Sequence, residues 1–300
     1  MKTFKLITLC FTLFLLISCN STQQEKPIVV STIGMIHSMV EEIASHNVTA
    51  IALMGPGVDP HLYKASAGDV KKLTSADLIL YNGLHLEAKL IDILSKLNQP
   101  AIAVTDSIPK EALIKPHDYD GFYDPHVWFD VSLWQYAATE VFNALVFIDP
   151  QNKEEYAKNH TKYQERLSSL DLWIQQKIDS IPTKNRLLVT AHDAFNYFGK
   201  KYQFKVVGLQ GINTSSEAGT KDIQKTTRII IENQTPTIFI ESSVPVRQIQ
   251  ALKAAVEAKG RYVEIGDTLF TDALGTKGTI EATYIGMIRH NVNSIVNGLK

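Results

Sequence analysis

Short apolar runs alternate with amphipathic stretches along most of the chain. Runs at 27–33 (PIVVSTI), 49–54 (TAIALM), 76–83 (ADLILYNG) and 101–104 (AIAV) are largely apolar, strand-like and too short to be helices. The first three lead into stretches with helical spacing, at 35–44, 66–76 and 86–97. In the last of these, Leu86, Leu90, Ile93, Leu94 and Leu97 share one face. Continuous apolar strands alternating with helices predict a parallel sheet covered on both sides.

The pattern changes at residues 151–181, which contain neither glycine nor proline and are dense in Lys, Glu and Gln. Tyr156, Tyr163, Leu167, Leu170, Ile174 and Ile178 punctuate it at helical spacings and predict one helix of ~45 Å, stopped by Pro182. The alternation then resumes, with strand-like runs at 186–191, 204–211, 236–242 and 261–267 and a last helix over 280–297. The expectation is an α/β architecture of two (β/α)4 lobes with parallel sheets, 27–150 and 182–300, joined by a long connecting helix at 151–181. The chain is large enough for two cores. Open parallel sheets bind ligands beyond the carboxyl ends of their strands, so both sets of ends are expected to face a shared cleft.

The first residues set the compartment. Lys2 and Lys5 precede an almost wholly apolar run at 6–17, too short to span a bilayer comfortably. It ends in LISC, 16–19, which resembles the lipobox of bacterial lipoproteins. That resemblance implies a signal peptide at 1–18, lipidation of Cys19, and a polar tether at 19–26 between the membrane and the folded body. The two cysteines are Cys10 and Cys19. With one cleaved and the other lipidated, no disulfide forms, and any metal site must use His, Asp or Glu. Losing Lys2 and Lys5 makes the formal charge of −1 slightly more negative. That balance argues against a nucleic-acid partner.

Two copies of Asp-Pro-His stand at strand ends, in GVDPHLYKAS (57–66) and YDPHVWFD (123–130). Proline fixes its own φ and extends the residue before it, so the step is a stiff mount for an imidazole. His192 follows the strand at 186–191, and Asp267 and Asp272 lie in the loop that follows the last strand. Each lobe thus offers metal-capable positions at strand carboxyl ends. His85, also at a strand end, is a weaker candidate. His37, His46 and His160 read as surface or half-buried groups, and His290 as packing. Asp193 reads as a helix cap or as a group orienting a ligand.

GVDPHLYKAS, DPHVWFD, TAHDAFNYF, GLQGINTSSEAG, IFIESS and LFTDALG, in that order, resemble the zinc- and manganese-binding lipoproteins that serve ABC importers. The likeness spans the mature chain. It implies two lobes on a rigid backbone helix, with metal ligands at His61, His126, His192 and Asp272. It also implies capture of Zn(II) or Mn(II) outside the cytoplasm and delivery to an integral-membrane permease driven by a cytoplasmic ATPase. The binding protein is expected to be a lipid-anchored monomer. Imidazole with one carboxylate suits a borderline divalent ion better than calcium or magnesium. Three imidazoles favour zinc. The short segment KPHDYDGFYD, carrying His117, Asp118, Asp120 and Asp124, replaces the long His- and acid-rich loop of some zinc-specific relatives and weakens a zinc-only reading. A zinc hydrolase is the rival, but His-Glu-x-x-His and Gly-x-Ser-x-Gly are both absent. An adhesin role has no sequence feature behind it.

Overall fold

The computed structural model describes residues 25–116 and 121–300. Residues 1–18, Cys19 and most of the tether, together with His117, Asp118 and Asp120, lie outside the described residues. The first half holds β1 (Ile28–Ser31), α1 (Gly34–Ala44), β2 (Thr49–Ala52), α2 (Ala67–Thr74), β3 (Leu78–Tyr81), α3 (Ile91–Leu94), β4 (Ala101–Ala103) and α4 (Val131–Ile148). All strand pairs are parallel, in the order β2-β1-β3-β4. α5 (Lys153–Ile178) follows a 3-10 turn at Pro150–Asn152. The second half holds β5 (Leu187–His192), α6 (Asn196–Tyr202), β6 (Lys205–Gln210), α7 (Thr220–Glu232), β7 (Thr237–Ile238), α8 (Arg247–Glu257), β8 (Glu264–Ile265) and α9 (Tyr284–Leu299).

The second sheet forms as two parallel pairs, β5-β6 and β7-β8. The Phe239 amide donates to Val189 O at 2.9 Å and ties the pairs together. The order β6-β5-β7-β8 therefore repeats that of the first sheet. β5 is buried at every position, as a central strand covered on both faces must be.

Two helices differ from their sequence patterns. Only Ile91–Leu94 of the amphipathic stretch 86–97 is α-helical. The buried Glu87 carboxylate turns back to accept the Asn82 amide (2.7 Å), the Gly83 amide (3.1 Å) and the Thr32 hydroxyl (2.7 Å). Leu84 and His85 adopt positive φ of 51° and 70°, which a helix start does not tolerate. The last helix starts later than its pattern. Ile280–Ala282 is a 3-10 turn, and extended Thr283 caps α9 by accepting the Gly286 amide at 3.1 Å.

α5 spans ~39 Å at the usual helical rise. Its buried stripe is Tyr156, Tyr163, Leu167, Leu170, Ile174 and Ile178. It packs on α1 and α4 from the first half and on α9 from the second. The apolar interior is not divided evenly between two lobes. One cluster runs from Val29 and Leu80 through Trp128, Trp134 and the α5 stripe to Phe195, Phe239, Tyr284 and Leu299. A smaller cluster, including Val189, Leu209, Ile238 and Leu252, fills the outer side of the second half. The inner faces of both halves thus share one core with the connecting helix. Among the described residues, no helix is long and apolar enough to cross a membrane.

Candidate metal centre

The carboxyl end of β5 and three loops that follow strands bring His192 together with His61, His126 and Asp272. All are buried, with His61 most exposed at 5%. His61 Nε2 stands 3.3 Å from His126 Nε2 and 3.8 Å from Asp272 Oδ2. His126 Nε2 is 3.4 Å from Asp272 Oδ1, and His192 Nε2 is 3.3 Å from Asp272 Oδ2. Donors bound at about 2.0–2.1 Å to a tetrahedral ion stand about 3.3–3.5 Å apart. These four separations are close to that spacing, and all four donor groups lie within 4.8 Å of one another.

The donor atoms have few partners other than one another. His192 Nε2 and both oxygens of Asp272 are buried without a well-formed hydrogen bond. A buried carboxylate and imidazole left so are costly unless a ligand satisfies them. This arrangement suits a cation held by three nitrogens and one or two carboxylate oxygens.

Supporting carboxylates aim two of the imidazoles. Asp124 Oδ1 accepts both the amide of His126 (2.9 Å) and its Nδ1 (2.7 Å). Asp124 Oδ2 accepts Asn196 Nδ2 at 3.0 Å, and the Tyr197 hydroxyl donates to Asp124 O at 2.9 Å. Glu241 accepts the His192 amide on Oε1 at 2.8 Å and His192 Nδ1 on Oε2. The Thr271 hydroxyl also donates to Oε2, at 2.9 Å. An imidazole whose Nδ1–H is fixed this way presents Nε2 to the ion and is more basic. At Asp272 the support comes through the backbone. Asn291 of α9 clamps the Phe270 amide (2.9 Å) and carbonyl (2.6 Å), while Trp128 Nε1 donates to Thr271 O at 3.0 Å.

Electrostatics separates the three imidazoles. Burial, opposed by Asp272 and reinforced by the other two histidines, lowers His61 to about 3. Burial also depresses His126, but the charge and hydrogen bond of Asp124, with Asp272, outweigh it and raise the group to about 9. His192 is buried too, yet Glu241 and Asp272 lift it well above the ordinary value. Burial pushes the Asp272 carboxyl up, and His192 and His126 more than reverse this. Asp124, Glu241 and Asp272 thus set three carboxylates around the imidazoles, an arrangement that suits a cation.

The other candidates lie apart. His85 stacks on Phe122 at 4.0 Å between centroids. Asp267 receives the Ser294 hydroxyl at 3.4 Å, and His290 Nε2 contacts Thr268 O at 2.9 Å. His37 pairs with Glu41, His46 contacts the Ser45 hydroxyl, and His160 stacks on Phe142. α6 is capped at Phe195 without a side-chain bond, so Asp193 does not cap it, and burial raises the Asp193 carboxyl, with Asn196 opposing the shift. Glu241 orients His192. Gly208 explains the backbone path here, because a Cβ on it would stand 2.4 Å from the Asp193 amide. Asp124 and Glu241 carried no assigned role in the sequence. Both sit in motifs, DPH and IFIESS, that could have drawn attention to them.

The "Zinc-binding protein TroA" of Treponema pallidum (strain Nichols) is 48% identical over 284 residues, covering 94% of this chain and 92% of that protein. The "Manganese-binding lipoprotein MntA" of Bacillus subtilis (strain 168) is 46% identical over 297 residues, covering 97% of each. A solved structure of the periplasmic zinc-binding protein TroA from Treponema pallidum superposes with a TM-score of 0.89 at 47% identity, covering 91% of this chain and 99% of that one. The family described as ZnuA, zinc-uptake complex component A, periplasmic, matches residues 29–298. By that match and these relatives, the chain belongs to the ZnuA family.

Proposed function

We propose that this chain is the extracytoplasmic solute-binding component of a metal ABC importer, holding Zn(II) or Mn(II) on His61, His126, His192 and Asp272. The observation that carries the reading is the convergence of three Nε2 atoms and two Asp272 oxygens, with His192 Nε2 and both oxygens otherwise unsatisfied. The family is one of transport components, which takes the chain out of the hydrolase class. The cargo passes to a membrane permease and its ATPase.

Both metals suit the donor set. Three imidazoles favour zinc by intrinsic affinity. A carboxylate with both oxygens turned inward can raise the coordination number and so accommodate the larger manganese ion. Lipid on Cys19 would tether a monomer to the membrane, and the polar stretch at 19–26 separates that anchor from β1. Cys19→Ala is then expected to release the protein from membranes with metal affinity unchanged.

The decisive experiment is metal analysis of protein purified without added metal, followed by competition titration with Zn(II) and Mn(II). Parent protein is expected to carry one equivalent. His126→Ala and Asp272→Ala are each expected to lose at least a hundredfold in affinity. Parent-like affinity in both variants would refute the site.

A further inference from the structure

We infer that Thr214 and Asp59 form a latch across the cleft that holds His61 on the bound ion and sets how fast the ion leaves. This rests on the reading of the quartet as the cargo site. Asp59 Oδ1 accepts the His61 amide at 2.9 Å, and Asp59 Oδ2 accepts the Thr214 hydroxyl from the opposite half of the molecule. One carboxylate therefore joins the backbone of a ligand to the other side of the cleft.

The Thr214 segment is built to reach inward. Ser215, Ser216 and Glu217 are exposed, while Thr214 is 8% exposed. Asn213 Oδ1 accepts the Ser215 amide (3.2 Å) and hydroxyl (2.5 Å), shaping a turn with Thr214 inside it. Gln210 Nε2 donates to Ser216 O at 3.1 Å and anchors that turn to the end of β6, whose Gln210 pairs in register with His192. The latch is thus attached to the strand beside another proposed ligand.

The His61 turn has little else to hold it across the cleft. Among the described residues, Thr214 is the hydrogen-bond partner that residues 55–66 find in the second half, besides the approach of His61 to Asp272. The His126 turn is instead joined to the second half by Asn196, Tyr197, Thr271 and Tyr284. His61 also sits beside Leu62, which is 42% exposed. Removing the Thr214 hydroxyl frees Asp59 to turn and the His61 amide to follow. His126, His192 and Asp272 stay in place.

Chelator-induced dissociation of Zn(II) and Mn(II), followed by stopped flow, tests the latch. Thr214→Val keeps the shape and removes the donor. It is expected to speed dissociation about tenfold to a hundredfold, the worth of a hydrogen bond to a charged group, with the association rate retained. Thr214→Ser is expected to restore the parent rate. Asp59→Asn keeps an oxygen for the His61 amide and leaves Thr214 only a neutral amide N–H to accept, so it should accelerate loss by a smaller factor than Thr214→Val. In Co(II)-loaded Thr214→Val the visible d–d bands should shift, reporting a loosened ligand, while the apo melting temperature stays near that of the parent. Parent-like dissociation and an unchanged Co(II) spectrum would overturn the latch, even with His126→Ala still defective. Fast dissociation that Thr214→Ser fails to rescue, with a lowered apo melting temperature, would also overturn it by showing general loosening. Parent-like affinity in both His126→Ala and Asp272→Ala would refute the site itself.

Discussion

At Asp59-Pro60-His61 and at Asp124-Pro125-His126, the same three residues make the same local turn. In each, the aspartate Oδ1 accepts the histidine amide at 2.9 Å. They part at the next contact. Asp124 also takes the Nδ1 of its own histidine, at 2.7 Å, and its Oδ2 is satisfied by Asn196. Asp59 gives its second oxygen to Thr214 and leaves the His61 ring without that support. The residue after the second histidine, Val127, is fully buried, whereas Leu62 is 42% exposed. A tripeptide therefore fixes where an imidazole stands, and tertiary surroundings decide how basic and how firmly held it is. Both turns meet the second half, the His126 turn through Asn196, Tyr197, Thr271 and Tyr284 and the His61 turn through Thr214.

The largest expected effect is on affinity, and it should be unequal between the two aspartates. Asp124→Asn removes the carboxylate that polarises His126, and loss of such an outer partner costs about 10- to 100-fold in metal affinity. Asp59→Asn keeps an amide-accepting oxygen and touches no ring nitrogen, so its equilibrium affinity should fall less. Isothermal titration of the two variants against Zn(II) checks this. Equal losses would mean the turns are equivalent despite their different partners.

The next effect is on proton release. A metal binds neutral imidazole, so a group still protonated in the empty site must give up its proton. His126 stands at about 9 and His192 also stands well above the ordinary histidine value. Both are then charged at pH 7, and binding should strengthen as pH rises toward 9. His61, at about 3, is neutral throughout that range and contributes no proton. Unperturbed histidines at ~6.5 would instead have confined the dependence to pH 5–7. Titration in buffers of different ionisation enthalpy should register about two protons released by the parent near neutral pH, and about one fewer by Asp124→Asn. A pH-independent affinity between 7 and 9 would contradict the charge assignment.

The contrast between the turns also bears on what the chain discloses before it is folded. Strand and helix alternation was readable because the apolar runs are short, β-rich and bounded by polar residues. α5 was readable because a spacing of buried residues repeats over 26 residues without a helix breaker. The stretch 86–97 has an equally good helical face, yet it mostly forms turns, because Glu87 bonds to backbone amides that periodicity does not register. The convergence of His61, His126, His192 and Asp272 was suggested by their positions after strands and by likeness to a family. Their supports were less legible. Asp124 lies two residues from its histidine, but Glu241 lies 49 residues from His192, and Thr214 lies 155 from Asp59. The first pairing depends on how β7 packs beside β5, and the second on how the two halves meet. Two apolar clusters form, but the larger is not confined to one lobe, since it runs through α5 into both halves.

The smallest effect should be motion. α5 packs against both halves, and Tyr284 of α9 donates its hydroxyl to Trp128 O at 2.7 Å while its amide meets Ser38 Oγ of α1 at 3.2 Å. These ties and the shared core oppose a wide hinge opening on metal loss. Local loosening follows the weaker turn instead. Hydrogen exchange of the apo protein should therefore show faster exchange than the metal-bound form at residues 57–63 and 211–217, with less change at 123–130. The radius of gyration should stay nearly constant between the two states. Opening free energies differ between segments according to the contacts that hold them, so exchange can detect this where scattering does not. Equal protection changes in both Asp-Pro-His turns would argue that the ion alone, and not the carboxylate network, holds them.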